Sequence, residues 1–182
     1  MRNYKIQWIS LLTLLLGSLV CNPLFAAMYL CIGEIKGDVT AKGYEDCIEI
    51  DSFSDSVVRV FSVVGGGGGR DSSIPQFSEV SLGKSMDSSS LELREQAAVG
   101  RPLDMNIHFV QTGADSLCEY YRVQLEDGIV SSHSMSNAAD QPYESLSINF
   151  TRIRYTLFQS DAKGCGISST TWGFDLAKNV PL

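Results

Sequence analysis

Histidine is scarce in this chain, and no two cysteines stand in a CxxC pair. Only His108 and His133 occur in 182 residues. With Cys31, Cys47, Cys118 and Cys165 scattered singly, nothing has the ligand spacing of a zinc knuckle or the pairing of a thioredoxin-type redox site. Positive charge is also short, with 14 Lys and Arg against 21 Asp and Glu for a net charge of −7. That balance excludes a polybasic surface for DNA, RNA or an anionic membrane. No GxSxG elbow accompanies either histidine, so a serine hydrolase has no support and both rings are expected on the solvated surface. What the chain does have is apolar content, 44% of residues, enough to bury the core of one domain.

The longest apolar run lies at the start. Arg2 and Lys5 precede a stretch at 9–20, ISLLTLLLGSLV, a dozen positions where a bilayer span needs about 20. NPLFAA follows. The pattern is that of a secretory signal peptide over residues 1–26, with cleavage near Ala26 or Ala27 and the folded domain over 27–182. A lipid anchor through Cys21 fits less well, because Val20 before it is large. Loss of Arg2 and Lys5 with the leader leaves 12 Lys and Arg against 21 Asp and Glu, a net charge of −9. After cleavage no stable membrane insertion is expected.

An even count of four cysteines in an exported domain points to two disulfides. If the segments carrying Cys31 and Cys47 form a hairpin turning around Gly37 to Gly43, the two sulfurs come opposite. That favours Cys31–Cys47 and, by elimination, Cys118–Cys165.

Period-two alternation dominates the rest. Leu103, Met105, Ile107 and Phe109 share one face of a strand; Trp172, Phe174 and Leu176 share another. Further strands are predicted at 28–36, 47–64, 75–82, 118–131 and 145–158. Within the last, Leu146, Ile148 and Phe150 are even-numbered while Ile153, Tyr155 and Leu157 are odd. A parity change of this kind predicts a β-bulge and a curved or closed sheet. One segment, MDSSSLELREQAAVG, reads as a short helix, with Ser89 and Glu92 spaced as a capping box and Gly100 just past the end.

Five consecutive glycines, Gly65, Gly66, Gly67, Gly68 and Gly69, precede Arg70. They do not form a nucleotide loop: GxGxxG would need glycine where Arg70 stands, and the Gly-Lys-Ser at 83–85 lacks the first P-loop glycine, its place taken by Ser78. With strands on both sides, the run reads as the tip of a hairpin extension. The acidic pairs Glu45/Asp46 and Glu126/Asp127 read as solvated turn residues. Arg152 and Arg154 lie on an outward face, either solvated or meeting carboxylates such as Glu119. Asn149-Phe150-Thr151 is a chance glycosylation sequon inside a strand. No cofactor is expected.

Taken in order, these segments resemble the haemolysin-coregulated protein (Hcp) family of type VI secretion systems. MYLCIGEIKG resembles the family's opening strand and Ile-Lys-Gly turn, and CIEIDSFSDSV its next segment, with Asp55 in place of a second aromatic. VSLGKSMDSSSLELREQAAVG is similar to its pre-helical strand and helix, with Lys84 and Asp87 at the usual positions. ESLSINFTRIRY and TWGFDL resemble the late strands. The resemblance implies a mainly β fold, a small two-sheet barrel with one side helix. It also implies a hexameric ring able to stack into a tube, and no enzymatic activity. Secreted effectors or secretion-apparatus proteins are implied as partners, in a Gram-negative bacterium. On the same basis the segment at 63–74, with Gly65 to Arg70 at its tip, becomes a candidate assembly loop, and Lys84 and Asp87 become structural residues. The leader and the cysteines lie outside the family pattern and place the protein in the periplasm or medium. The other reading is an exported monomeric barrel that holds a protein or small ligand.

Overall fold

The computed structural model describes residues 26–63, 70–113, 117–137, 141–161 and 164–182. The leader up to residue 25 and Gly65 to Gly69 therefore lie outside the described residues. The first strand, β1 (Ala26–Ile32), pairs antiparallel on one flank with β2 (Ile48–Ile50) and on the other with β9 (Leu103–Thr112). The chain from β2 bends at Asp51, whose N–H donates to the Gly83 carbonyl at 2.8 Å, and continues as β3 (Ser52–Ser54) against β8 (Val80–Ser85). β8 pairs with β11 (Tyr143–Asn149), which pairs with the long β10 (Leu117–Ser136), which returns to β9. The chain passing from β2, paired with β1, to β3, paired with β8, closes this circuit into a barrel. Outside it, β12 (Arg152–Asp161), β13 (Gly164–Asp175) and β14 (Val180–Pro181) extend the sheet from the first half of β10.

Alternation sets what fills the barrel. Met105 and Ile107 on β9, Val123 and Leu125 on β10, Val80 and Leu82 on β8, and Leu146 and Ile148 on β11 are all buried in one core with Leu30 and Ile48. Each pair two residues apart points to the same face, so the core is written at every second position.

The parity change at 150–153 has a different origin from a bulge. Glu126 pairs with Arg152 and Ile129 with Asn149, so two residues on β10 oppose two on the partner and none is extra. Both strands change parity together: β10 buries Val123 and Leu125, then Gly128 and Val130. Asp127, at φ 52°, sits at the crease, and the Thr151 N–H donates to the Glu126 carbonyl there at 3.2 Å. This paired crease is where the two-stranded ribbon passes from one sheet to the other. The real bulges of β10 face β9, at Glu119/Tyr121 and at Leu125/Gly128, and the strand facing β11 has one at Val130/Ser132.

The helix α1 (Ser90–Val99) lies against the barrel through Leu93, which is fully buried. Gly100 ends it in the left-handed conformation, φ 69°, with its N–H donating to the Gln96 carbonyl, a backbone shape that suits glycine. The capping box does not form: Ser89 makes no side-chain cap bond and its hydroxyl instead donates to Asp87 at 2.5 Å.

Cys31 is bonded to Cys47 and Cys118 to Cys165, with Cα separations of 4.6 and 5.3 Å. The first bond continues the β1–β2 register by one rung, closing a loop over the outer face of β1 and β9. There Tyr29, Cys47 and Val110 form a second small core. Gly37 lets this loop lie flat, since a Cβ would stand 2.5 Å from the Cys47 carbonyl oxygen. The second bond ties β10 directly to the start of β13, beyond the stretch in which β10 pairs with β12. With separations of 16 and 47 residues, chain entropy gives about 3 and about 4 kcal/mol respectively. Paired Cys→Ala changes should therefore each lower the urea midpoint, with the larger drop for Cys118/Cys165. An unchanged midpoint in either double variant would show that bond to be energetically idle.

Candidate assembly surface

Between β3 and β8 the chain leaves the barrel as a two-stranded arm. At its base β4 (Val57–Val58) pairs with β7 (Gln76–Phe77), and further out β5 (Phe61–Val63) pairs with β6 (Arg70–Ser72). Serine side chains extend the ladder: Ser78 Oγ accepts the Ser56 N–H at 2.8 Å on the barrel side of β4 and β7, and Ser73 Oγ accepts the Val60 N–H at 3.0 Å between the two paired segments. The arm is thus longer than the loop expected at 63–74. It begins at Val57 and is paired on both sides of the glycine run. Arg70 starts β6.

The arm's composition is at odds with solvent. Val57, Val58, Val60, Phe61 (59% exposed) and Ile74 (65% exposed) all stand open. Isolated exposed apolar residues are ordinary, but five on one projecting ribbon form a patch of the kind that marks a contact surface.

Where the arm leaves the barrel, Phe77 packs on Phe174 and Trp172, with ring centroids 5.1 and 6.4 Å apart. Trp172 is 47% exposed rather than buried with Phe174, and Leu176 lies in the turn after β13. Tyr155 donates from its hydroxyl to Asp55 at 2.5 Å. Burial, then the bond to Asp55 and its charge, push the Tyr155 phenol far above its usual range.

At the opposite end of β8, Lys84 is buried completely (0% exposed). Its Nζ donates to Asp87 Oδ1 and Glu144 Oε2, both at 2.8 Å, and to Ser90 Oγ at 3.3 Å. Ser90 in turn donates to Glu144 at 2.9 Å. Asp87 Oδ1 also accepts the Ser89 N–H at 3.0 Å. One ammonium therefore clamps the helix start to β8 and β11, which supports a structural role for Lys84 and Asp87. His133 belongs here too. It lies on β10, not in a loop, with its side chain 1% exposed and Nε2 3.4 Å from Glu144 Oε1, so it is not a surface histidine.

His108 is not solvated either. Its Nδ1 lies 2.6 Å from Glu119 Oε1, and Arg122 grips both oxygens of the same carboxylate. Burial pushes the Glu119 carboxyl up, but the bonds and charges of His108 and Arg122 outweigh it and hold it below the usual range. Glu126, expected to be free, accepts Arg152 at 2.7 Å and Arg154 at 3.1 Å. Those two arginines thus meet Glu126, not Glu119. Among the described residues no group of three His, Cys, Asp or Glu could hold a metal ion, and no helix is long and apolar enough to cross a membrane.

Known proteins place this geometry. The family model described as type VI secretion system effector, Hcp, matches residues 29–157. A solved type six secretion system protein superposes with a TM-score of 0.80 at 18% identity, covering 87% of this chain and 100% of that one. Hcp1 from Salmonella typhimurium gives 0.67 at 17% identity, over 86% and 99% of the two chains. The secreted protein Hcp3 from Pseudomonas aeruginosa gives 0.60 at 17%, over 84% and 97%. No curated protein matches. With the family model covering more than half of its length, this chain belongs to the Hcp family of type VI secretion proteins.

Proposed function

We propose that the protein is a non-enzymatic structural subunit that assembles with copies of itself into a hexameric ring outside the cytoplasm, after a signal peptide at 1–26 is removed. The observation that carries this reading is the apolar arm projecting from an Hcp-type barrel, a surface the monomer leaves uncovered. A ring closes when one patch meets a different patch on the next copy, so each subunit offers its arm in turn and the last arm is received by the first. Stacked rings would form a tube with other secretion-apparatus proteins or secreted effectors as partners. Two disulfides and a leader of 26 residues support residence in an oxidising compartment, the periplasm or the medium.

Native mass measurement of the protein recovered from cells tests both halves. A particle of six processed chains, each beginning near Ala26 or Ala27, is the expected result. A clean monomer at high concentration favours the exported single-barrel binding module, and an intact Met1 terminus removes the export reading.

A further inference from the structure

The geometry points to a ligand site in the open cleft between the base of the arm and the free face of β12 and β13, and we propose that it takes a small organic cation, an alkylated or quaternary ammonium head group. The cleft encloses about 490 Å³, within the size range of small-molecule sites. Its walls are Val57, Phe77, Tyr121, Tyr155 and Trp172, with Asp55 at one side.

Three observations select the ligand class. First, the rings run in near-parallel succession: Tyr121 to Tyr155 at 6.2 Å and 20°, Tyr155 to Trp172 at 5.9 Å and 18°, Trp172 to Phe77 at 6.4 Å and 20°. Second, the carboxylate of Asp55 is fixed beside them by the Tyr155 hydroxyl and makes no ion pair with any described residue. Third, Trp172 stays half exposed although Gly173 and Phe174, which follow it along β13, are buried. Aromatic faces attract cations by about 0.5 to 2 kcal/mol, most strongly for Trp. An alkylated ammonium combines positive charge for Asp55 with methyl groups for the rings. It also sheds its weak hydration more easily than an inorganic cation. The raised phenol of Tyr155 stays protonated at neutral pH, so it keeps donating to the Asp55 carboxylate.

The chain has two tryptophans, Trp8 in the leader and Trp172, so a full-length Trp8→Phe protein reports the cleft through Trp172 emission alone. Choline is expected to change that emission saturably, and its neutral isostere 3,3-dimethyl-1-butanol to bind about tenfold more weakly. Asp55→Asn should weaken choline binding about fivefold or more with the far-UV spectrum unchanged. The proposal is overturned if choline gives no saturable response, if the neutral compound binds equally well, or if Asp55→Asn binds choline as the parent does. A response to arginine amide without one to choline would likewise overturn it, assigning the cleft to a guanidinium side chain.

Discussion

Lys84→Met is expected to cost a large share of the stability of this barrel. Methionine matches the length of the lysine stem but leaves Glu144, itself fully buried, and Asp87 without the ammonium that both oxygens face at 2.8 Å. Removing one partner of a buried pair typically costs 3 to 5 kcal/mol, about, and a domain of this kind has only about 5 to 15 to lose. The urea midpoint should fall steeply, and the helix should loosen first, since Ser90 and Asp87 at its start share the same ammonium. A double variant, Lys84→Met with Glu144→Leu, should recover a good part of the loss because it removes the stranded carboxylate together with its partner. If the single variant melts within a few degrees of the parent, the cluster is not what joins helix to sheet.

Charging the arm should act the other way, abolishing assembly and sparing the fold. Val58→Asp with Phe61→Asp places two carboxylates on side chains that are already more than half exposed, so the monomer's stability should move by no more than about 0.5 kcal/mol. Buried against another subunit, the same two charges would be unpaired and desolvated, which no interface of ordinary size tolerates. The expected result is a monomer by sedimentation with the parent's thermal midpoint. Shortening the run from Gly65 to Gly69 should do the same more mildly, weakening assembly or stacking in a protein that still folds. A ring that survives the double aspartate variant would show that the arm is not the contact, and a deletion that unfolds the barrel would make the tip part of the core.

Much of the barrel was legible in the alternation. Met105 with Ile107 and Leu146 with Ile148 occupy the inner face that period two assigns them, and the serine cluster before Leu91 with Gly100 after Val99 marked the ends of the helix. The crease was half legible. The parity change between Phe150 and Ile153 is real, but its matching change on β10, between Leu125 and Gly128, lies in a run of polar residues where alternation is faint. Only the pairing shows that the two changes face each other. Glu144 was missed although the same rule reaches it: counting back from Ile148 through Leu146 lands on Glu144, as counting forward from Val80 through Leu82 lands on Lys84. A charge at each end of a buried stripe on two strands is the signal for an internal ion pair. His133 was misplaced because serines surround it, a composition that reads as loop while the backbone continues as strand. The cleft had no local signature at all, since Asp55 and Tyr155 meet across 100 residues of sequence.

The flanks of β1 carry a consequence for the order in which the molecule can come together. On one side its partner, β2, follows within about two dozen residues; on the other, β9 starts at Leu103. A chain emerging from its N-terminus therefore exposes β1 as an open edge long before β9 exists, the condition under which strands find the wrong neighbour. Cys31 and Cys47 have both emerged by then, and the bond between them holds β2 in place as a temporary guard on one flank. The first disulfide thus secures only the flank that β2 covers, and the edge that takes β9 stays open until the segment from Leu103 is made.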